Sequence, residues 1–139
     1  MEINVNQLIE AYSRIGKIDL YYIFLGLVFL DIITGHIKAF VTKKATSDQS
    51  LRGILKHFSV IILVLGACPF LWLIGFGWAG KLIIWSFIAS YGISIAENYG
   101  ELGWPLSPWI KQFFYTLKDQ TDNIKIEDIE EIKIKEKIK

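Results

Sequence analysis

Three long apolar runs divide the chain, at residues 20–41, 58–76 and 82–98. Between Phe58 and Ala96 the only formal charge is Lys81. The run "FSVIILVLGACPFLWLIGF" is apolar on every side of a helical wheel, whereas a helix of a soluble core keeps a polar face. Because a bilayer core needs about 20 apolar residues per helix, the pattern predicts an all-α membrane protein with three transmembrane helices, in one membrane domain over residues 1–139.

Amphipathic segments flank the three runs, at residues 1–18 and 107–118. Ser107 followed by Pro108 is typical of a helix start. The apolar positions that share one helical side are Val5, Leu8, Ile9, Tyr12 and Ile15 in the first segment and Trp109, Ile110, Phe113, Phe114 and Leu117 in the second. We expect both segments to be amphipathic helices at the membrane surface, interacting with lipids, although an ordinary packed helix would give the first segment the same pattern. Residues 119–139 are dense in both charge signs and predict a solvated, charged cytoplasmic tail.

Basic residues between the first two runs predict the orientation in the membrane. The turn "GWAGK" between the second and third runs carries one basic residue. The connection at residues 42–57 carries Lys43, Lys44, Arg52, Lys56 and His57. Because short cytoplasmic loops hold the excess of Lys and Arg, this connection is expected inside the cell. With three spans, the N-terminus then lies outside and the C-terminus in the cytoplasm.

Charge and cysteine content narrow the class of protein further. The chain has 139 residues and a formal net charge of +1. A surface that holds nucleic acid normally shows a clear Lys and Arg excess, so no nucleic-acid partner is expected. Cys68 is the only cysteine and lies in an apolar run, which predicts a small core residue. The N-terminal residues have no basic segment followed at once by an apolar one, so no cleavable signal peptide is predicted.

Polar residues interrupt the first apolar run in "DIITGHIKAF". At about 100° per residue, Asp31, Thr34, Gly35 and Lys38 share one side of a helix, which we call the polar seam. An aspartate near mid-membrane costs about 2.5–3.5 kcal/mol on the translocon scale, so this side must point at protein or water. It could line an aqueous lumen after assembly, or it could pack statically within one chain. His36 lies off this side and is expected at the membrane interface.

The third run carries small residues at four-residue spacing on two sides of the predicted helix. Such positions let helices approach closely. One set is Ser86, Ser90 and Ser94, and the other is Gly92, Ala96 and Gly100. Packing inside one chain explains one set. Two sets predict contact with two neighbours, as in a homo-oligomer.

Polar residues also close the third run. Glu97 lies on the same side as Ser86 and Ser90, at a depth similar to Lys38. We therefore expect a contact between Glu97 and Lys38, with Asn98 as a further member of the polar seam.

Catalytic chemistry has no recognisable motif in this sequence. There is no Gly-rich phosphate loop, no HExxH and no GxSxG. His and Cys residues do not recur at metal-ligand spacing. The sequence predicts no enzyme activity, no cofactor and no metal.

Two separated motifs of the chain together resemble those of a known family. The first, in "DIITGHIKAFVTKKATSDQSLRGILKH", consists of Asp31, Thr34, Gly35, Lys38, Ala39, Ser47, Gly53 and Lys56. The second, in "SIAENYGELGWPLSP", consists of Ser94, Ile95, Glu97, Asn98, Gly100, Gly103, Pro105 and Pro108. Both motifs resemble those of the phage holin family that includes clostridial toxin-secretion holins, and the resemblance covers about residues 20–117, in order. The sequence departs from the family's pattern at His57, where many members would have a second lysine.

The resemblance implies a small protein of the bacterial cytoplasmic membrane that accumulates and then oligomerises to open lesions. A cell-wall hydrolase (endolysin) or a toxin would leave through them as cargo. An antiholin is a possible partner, and an antiholin or accessory secretion subunit is the alternative function. A solute transporter is disfavoured because the sequence has no internal repeat.

Overall fold

Five helices make up the described part of the chain. The computed structural model describes residues 4–15, 19–44, 46–124 and 134. In order, the helices are α1 (Val5–Ile15), α2 (Asp19–Val41), α3 (Ser47–Leu73), α4 (Gly77–Glu101) and α5 (Pro108–Asp122). No strand occurs within these ranges, which confirms the all-α prediction. Most of the predicted charged tail, and the ends of the predicted 1–18 segment, lie outside the described residues.

Three helices have the length and hydropathy of transmembrane spans. The qualifying segments are Asp19–Val41, Leu51–Leu73 and Gly77–Glu101, so the prediction of three spans is confirmed. At 1.5 Å per residue, each is long enough to cross a hydrocarbon core of about 30 Å. The protein is therefore a multi-pass membrane protein.

The connections between the spans are shorter than the sequence pattern predicts. Helix α3 begins at Ser47, so most of the basic segment 42–57 is helical. Asp48 lies in the first turn of α3 and forms an ion pair of 3.1 Å with Arg52, four residues later. Both features favour a helix. Hydropathy detects only the apolar part of α3, so the predicted span began too late.

The second connection is also displaced from the predicted turn. It occupies residues 74–76, where Gly75 adopts a φ of 81° that suits glycine. The sequence "GWAGK", predicted as the turn, instead forms the start of α4.

The two ends of the bundle differ in their side chains. Trp72, at the end of α3, and Trp78, at the start of α4, lie at what we call the tryptophan end. Lys38 and Lys56 lie toward the opposite, basic end. Helices α2 and α4 both run from the tryptophan end to the basic end, and α3, which comes between them in the sequence, runs in the opposite direction. Helix α1 contacts α3, with the Arg14 guanidinium 4.9 Å from the centre of the Trp72 ring.

Helix α4 is the central element, with contacts to α2, α3 and α5. The bundle core is apolar, and its buried members include Phe24 and Val28 from α2, Val64 and Cys68 from α3, and Ile84 and Ile88 from α4. Cys68 is a small core residue, as predicted, and contacts the Gly80 backbone of α4. Pro69 is fully buried, and α3 continues through it.

Helix α5 folds back against α4. The connection at residues 102–107 contains Gly103 with a φ of 69°, a conformation that glycine adopts readily. Phe114 and Leu117 pack against the bundle core. The stripe predicted at residues 109–117 is therefore divided, since Trp109 and Phe113 stay exposed.

Candidate functional site: a buried polar cluster between the spans

Asp31 and Thr34 of α2 meet Asn98 of α4 inside the bundle. All three side chains are buried. The Asn98 amide donates one hydrogen bond to Asp31 Oδ1 at 3.3 Å and one to Thr34 Oγ1 at 3.2 Å. The Thr34 hydroxyl in turn donates to the Asp31 backbone carbonyl at 3.2 Å. The carboxylate that lipid could not accommodate is thus held by a donor from a second span.

His57 of α3 completes this polar cluster. Its Nε2 lies 3.8 Å from Asp31 Oδ2, and its Nδ1 lies 3.2 Å from the Tyr91 hydroxyl of α4. The centres of the imidazole and phenol rings lie 5.6 Å apart, and the ring planes are tilted by 37°. All three spans therefore contribute to one polar contact around Asp31.

Sequence reasoning missed His57 because it counted this residue as part of a basic loop. The signal was present in the spacing. His57 lies seven residues before Val64 and eleven before Cys68, and both of these are buried. Residues at that spacing share one side of a helix, so His57 continues the core side of α3.

Gly35 and Lys38 extend the seam toward the basic end. A Cβ placed on Gly35 would lie 3.8 Å from Asn98 Nδ2, so α2 and α4 approach each other closely at this level. Lys38 Nζ lies 3.3 Å from Glu101 Oε1. The predicted side of α2 is therefore the one that faces α4.

The expected contact between Lys38 and Glu97 is wrong. Lys38 pairs with Glu101, and Glu97 instead accepts a hydrogen bond of 3.0 Å from the Tyr115 hydroxyl of α5. Helices α2 and α4 run in the same direction with Thr34 opposite Asn98. One turn further along, Lys38 lies opposite Glu101, whereas Glu97 is rotated by about 100° from Asn98.

A cavity of about 290 Å³ lies beside the cluster and is partly open to the surface. Its lining side chains come from α2, α3, α4 and the first connection, and include Asp31, His36, Lys38, Thr46, Lys56, His57, Ser94 and Asn98. Thus the seam that contacts α4 also borders a polar space toward the basic end. His36 is exposed and lines this cavity while its Nδ1 contacts the Ile32 carbonyl at 2.7 Å.

The two sets of small residues on α4 have different surroundings. A Cβ on Gly92 would lie 2.2 Å from the Phe114 ring of α5, and Ala96 is buried, while Gly100 is exposed. This set is therefore covered by α5 at Gly92, within one chain. Ser86 and Ser90 are half-buried and lie about 160° around α4 from the buried Ile88. A role of Ser86 and Ser90 in assembly stays a prediction.

The cluster surrounds the Asp31 carboxylate with polar groups. Asp31 has an amide donor and an imidazole beside it. Within the described ranges, no group of three or more His, Cys, Asp or Glu side chains could hold a metal ion. The arrangement keeps one carboxylate tolerable at membrane depth.

Fold and cluster together define a small helical membrane protein with three spans and a carboxylate held between them. Comparison with known proteins identifies the family. The chain matches the bacteriophage holin family over residues 12–119, and it belongs to that family. This range contains all three spans and most of α5. Holins are not an enzyme family.

Two relatives come from Clostridium perfringens. One, an uncharacterized protein of strain 13 / Type A, is 36% identical over 103 residues, covering 73% of this chain and 76% of the relative. The other, an uncharacterized 14.9 kDa protein in the nagH 3' region, is 36% identical over 98 residues, covering 69% and 74%. No solved structure gives a significant match.

Proposed function

We propose that this protein acts as a holin that oligomerises in the bacterial cytoplasmic membrane and opens lesions through which a cell-wall hydrolase or a toxin leaves the cell. The observation that carries the proposal is the family match, because it covers all three spans and most of α5 rather than one short motif. The released protein is cargo in this proposal, and the binding partners are lipids and further copies of the chain.

The polar cluster supports the first stage of this function, which is harmless accumulation. A lone charge in lipid is costly, but Asp31 is buried against Asn98 and near His57 within one chain. A single chain can therefore insert without exposing this carboxylate to lipid. The seam is packed in the single chain and borders the cavity at the same time, so assembly could widen an existing polar space.

The side of α4 that carries Ser86 and Ser90 supports the second stage, which is association between chains. Ser86 and Ser90 present small polar side chains on the side opposite Ile88, and small residues allow close helix contact in membranes. Large apolar side chains such as Phe29, Phe58 and Ile62 are exposed on the spans and suit contact with lipid or with another copy. We place the basic end in the cytoplasm, because it carries the lysines.

Coexpression with a cell-wall hydrolase that has no export signal tests the function. We expect depolarisation and then lysis after the chain has accumulated in the membrane, whereas hydrolase alone should not lyse the cells. Ser90→Leu should delay lysis at equal accumulation. Ser59→Leu, at an exposed position of α3, is the matched control and should lyse like the wild type.

An unchanged membrane potential over hours, with the protein demonstrably inserted, would contradict the holin proposal. The antiholin alternative predicts a different result in the same cells. In that case the chain would not lyse them and would delay lysis by a separately expressed holin.

A further inference from the structure

The position of α5 on α4 is the starting observation. The Phe114 ring lies where a Cβ of Gly92 would be, with three ring atoms at 2.2–2.4 Å from that point. Gly92 is nine residues before the end of α4, about 14 Å along the helix axis. A helix lying flat at the end of α4 could not bring Phe114 to that level. Helix α5 therefore runs back along α4 toward the tryptophan end.

The depth of this contact follows from the polar cluster. Asn98 is hydrogen-bonded to Asp31, which lies twelve residues from the start of its span and ten from its end. Gly92 lies six residues from Asn98 toward the tryptophan end, about 9 Å further. The contact between Phe114 and Gly92 is thus inside the apolar layer, and the later residues of α5 lie further toward the tryptophan end.

The side of α5 that points away from α4 is polar. Ile110, Phe114, Leu117 and Thr121 are the partly covered positions. The opposite side, which we call the polar face of α5, consists of Gln112, Thr116, Asp119 and Asn123, all exposed. Lipid offers no hydrogen bonds to such groups, and an aspartate facing it is strongly disfavoured. At this depth the face requires water.

We propose that α5, seated on α4 through Phe114 and Gly92, forms part of the lumen wall of the assembled lesion, with its polar face turned to the water inside. This inference rests on the proposed holin function. It assigns the lumen surface to α5, a helix that is too polar to cross lipid alone. It also explains why the Gly92 position has no side chain, since any Cβ there would displace the Phe114 ring.

Enlarging the side chain at residue 92 and reducing the one at residue 114 tests the docking of α5 on α4. Gly92→Leu should abolish lysis at normal membrane accumulation, because the leucine fills the site of the ring. Gly92→Leu combined with Phe114→Ala should restore it. Gly26→Leu, on α2, is the matched control, because no atom of the described residues lies within 4 Å of a Cβ at Gly26, and it should lyse like the wild type.

The outcomes separate this proposal from the holin function itself. If wild type lyses and Gly92→Leu lyses equally well, α5 docking has no role and the proposal is wrong while the function stands. Failure of Phe114→Ala to restore lysis would contradict the docking too, and would point to Gly92 as a contact between chains. If the wild type does not lyse cells, the proposed function has failed instead.

Thiol labelling of reconstituted protein tests the lumen directly. In a Cys68→Ala chain, Thr116→Cys places the only thiol on the polar face of α5. A charged, membrane-impermeant thiol reagent should react with it and reduce the conductance of open channels. Leu63→Cys, at an exposed and apolar position of α3, is the control and should stay unreactive in lipid. Conducting channels whose Thr116→Cys thiol does not react, or reacts with no change in conductance, would overturn the proposal.

Discussion

Replacement of Asn98 by alanine isolates the contact that holds Asp31. Asn98→Ala removes both hydrogen bonds donated by the amide, at 3.3 Å to Asp31 and 3.2 Å to Thr34. It leaves the carboxylate buried, with the His57 imidazole 3.8 Å away. We expect the fold to survive with reduced stability.

Two opposing estimates bound the size of the effect. A hydrogen bond to a charged group contributes about 1.5–3 kcal/mol in soluble proteins. In membrane proteins the measured average is about 0.6 kcal/mol, with a maximum near 1.7, because the unfolded state also finds partners. One charged and one neutral bond are lost here, so we expect about 1–2 kcal/mol, a factor of roughly 5–30 in the folding equilibrium.

Reversible unfolding in mixed detergent micelles, followed by circular dichroism, measures this difference. Asn6→Ala is the matched control, because Asn6 is exposed on α1, and it should leave the unfolding free energy within error of the wild type. Asp31→Asn should reduce the cost of a subsequent Asn98→Ala, since the two side chains are coupled. Equal stabilities of Asn98→Ala and Asn6→Ala would refute the assignment of Asn98 as the partner of Asp31.

Three smaller effects follow from other contacts. Lys38→Gln and Glu101→Gln should each cost less than about 1 kcal/mol in the same unfolding assay, because their pair is largely solvated. The hydrogen bond to Glu97 raises the pKa of Tyr115. That contact therefore contributes while the phenol is protonated, below the ordinary value near 10, and is lost as the pH rises through the raised value. In Glu97→Gln the tyrosinate absorbance assigned to Tyr115, by comparison with Tyr115→Phe, should titrate at lower pH. Gly80→Leu should overpack the contact of α4 with α3 and lower the unfolding midpoint, since a Cβ there already reaches van der Waals distance.

The sequence carried most of the information about the seam on α2. Helical rotation alone placed Asp31, Thr34, Gly35 and Lys38 on one side, and the structure turns that side toward α4. Asn98 was predicted as a member of the seam, and it is the hydrogen-bond partner. Local periodicity was sufficient here because the pattern lies within one helix.

Contacts between helices were harder to predict because they depend on register. The partner of Lys38 was misplaced by one helical turn, from Glu101 to Glu97, since a single sequence gives depth only to within a turn. His57 was missed because hydropathy placed the start of the second span too late. The docking of Phe114 on Gly92 needs the chain reversal at residues 102–107, and an amphipathic stripe alone does not distinguish a helix partner from a lipid surface.

The short connection between α4 and α5 has a kinetic consequence. Only six residues separate Glu101 from Pro108, so α5 is tethered beside its site on α4. A tether of this length gives an effective concentration on the order of millimolar, and docking is a unimolecular step that does not depend on how densely the membrane is filled. Association between chains does depend on that density. The delay before lysis should therefore shorten as the expression level rises, because chains then meet more often. The occupancy of the α4 site by α5 within each chain should stay constant.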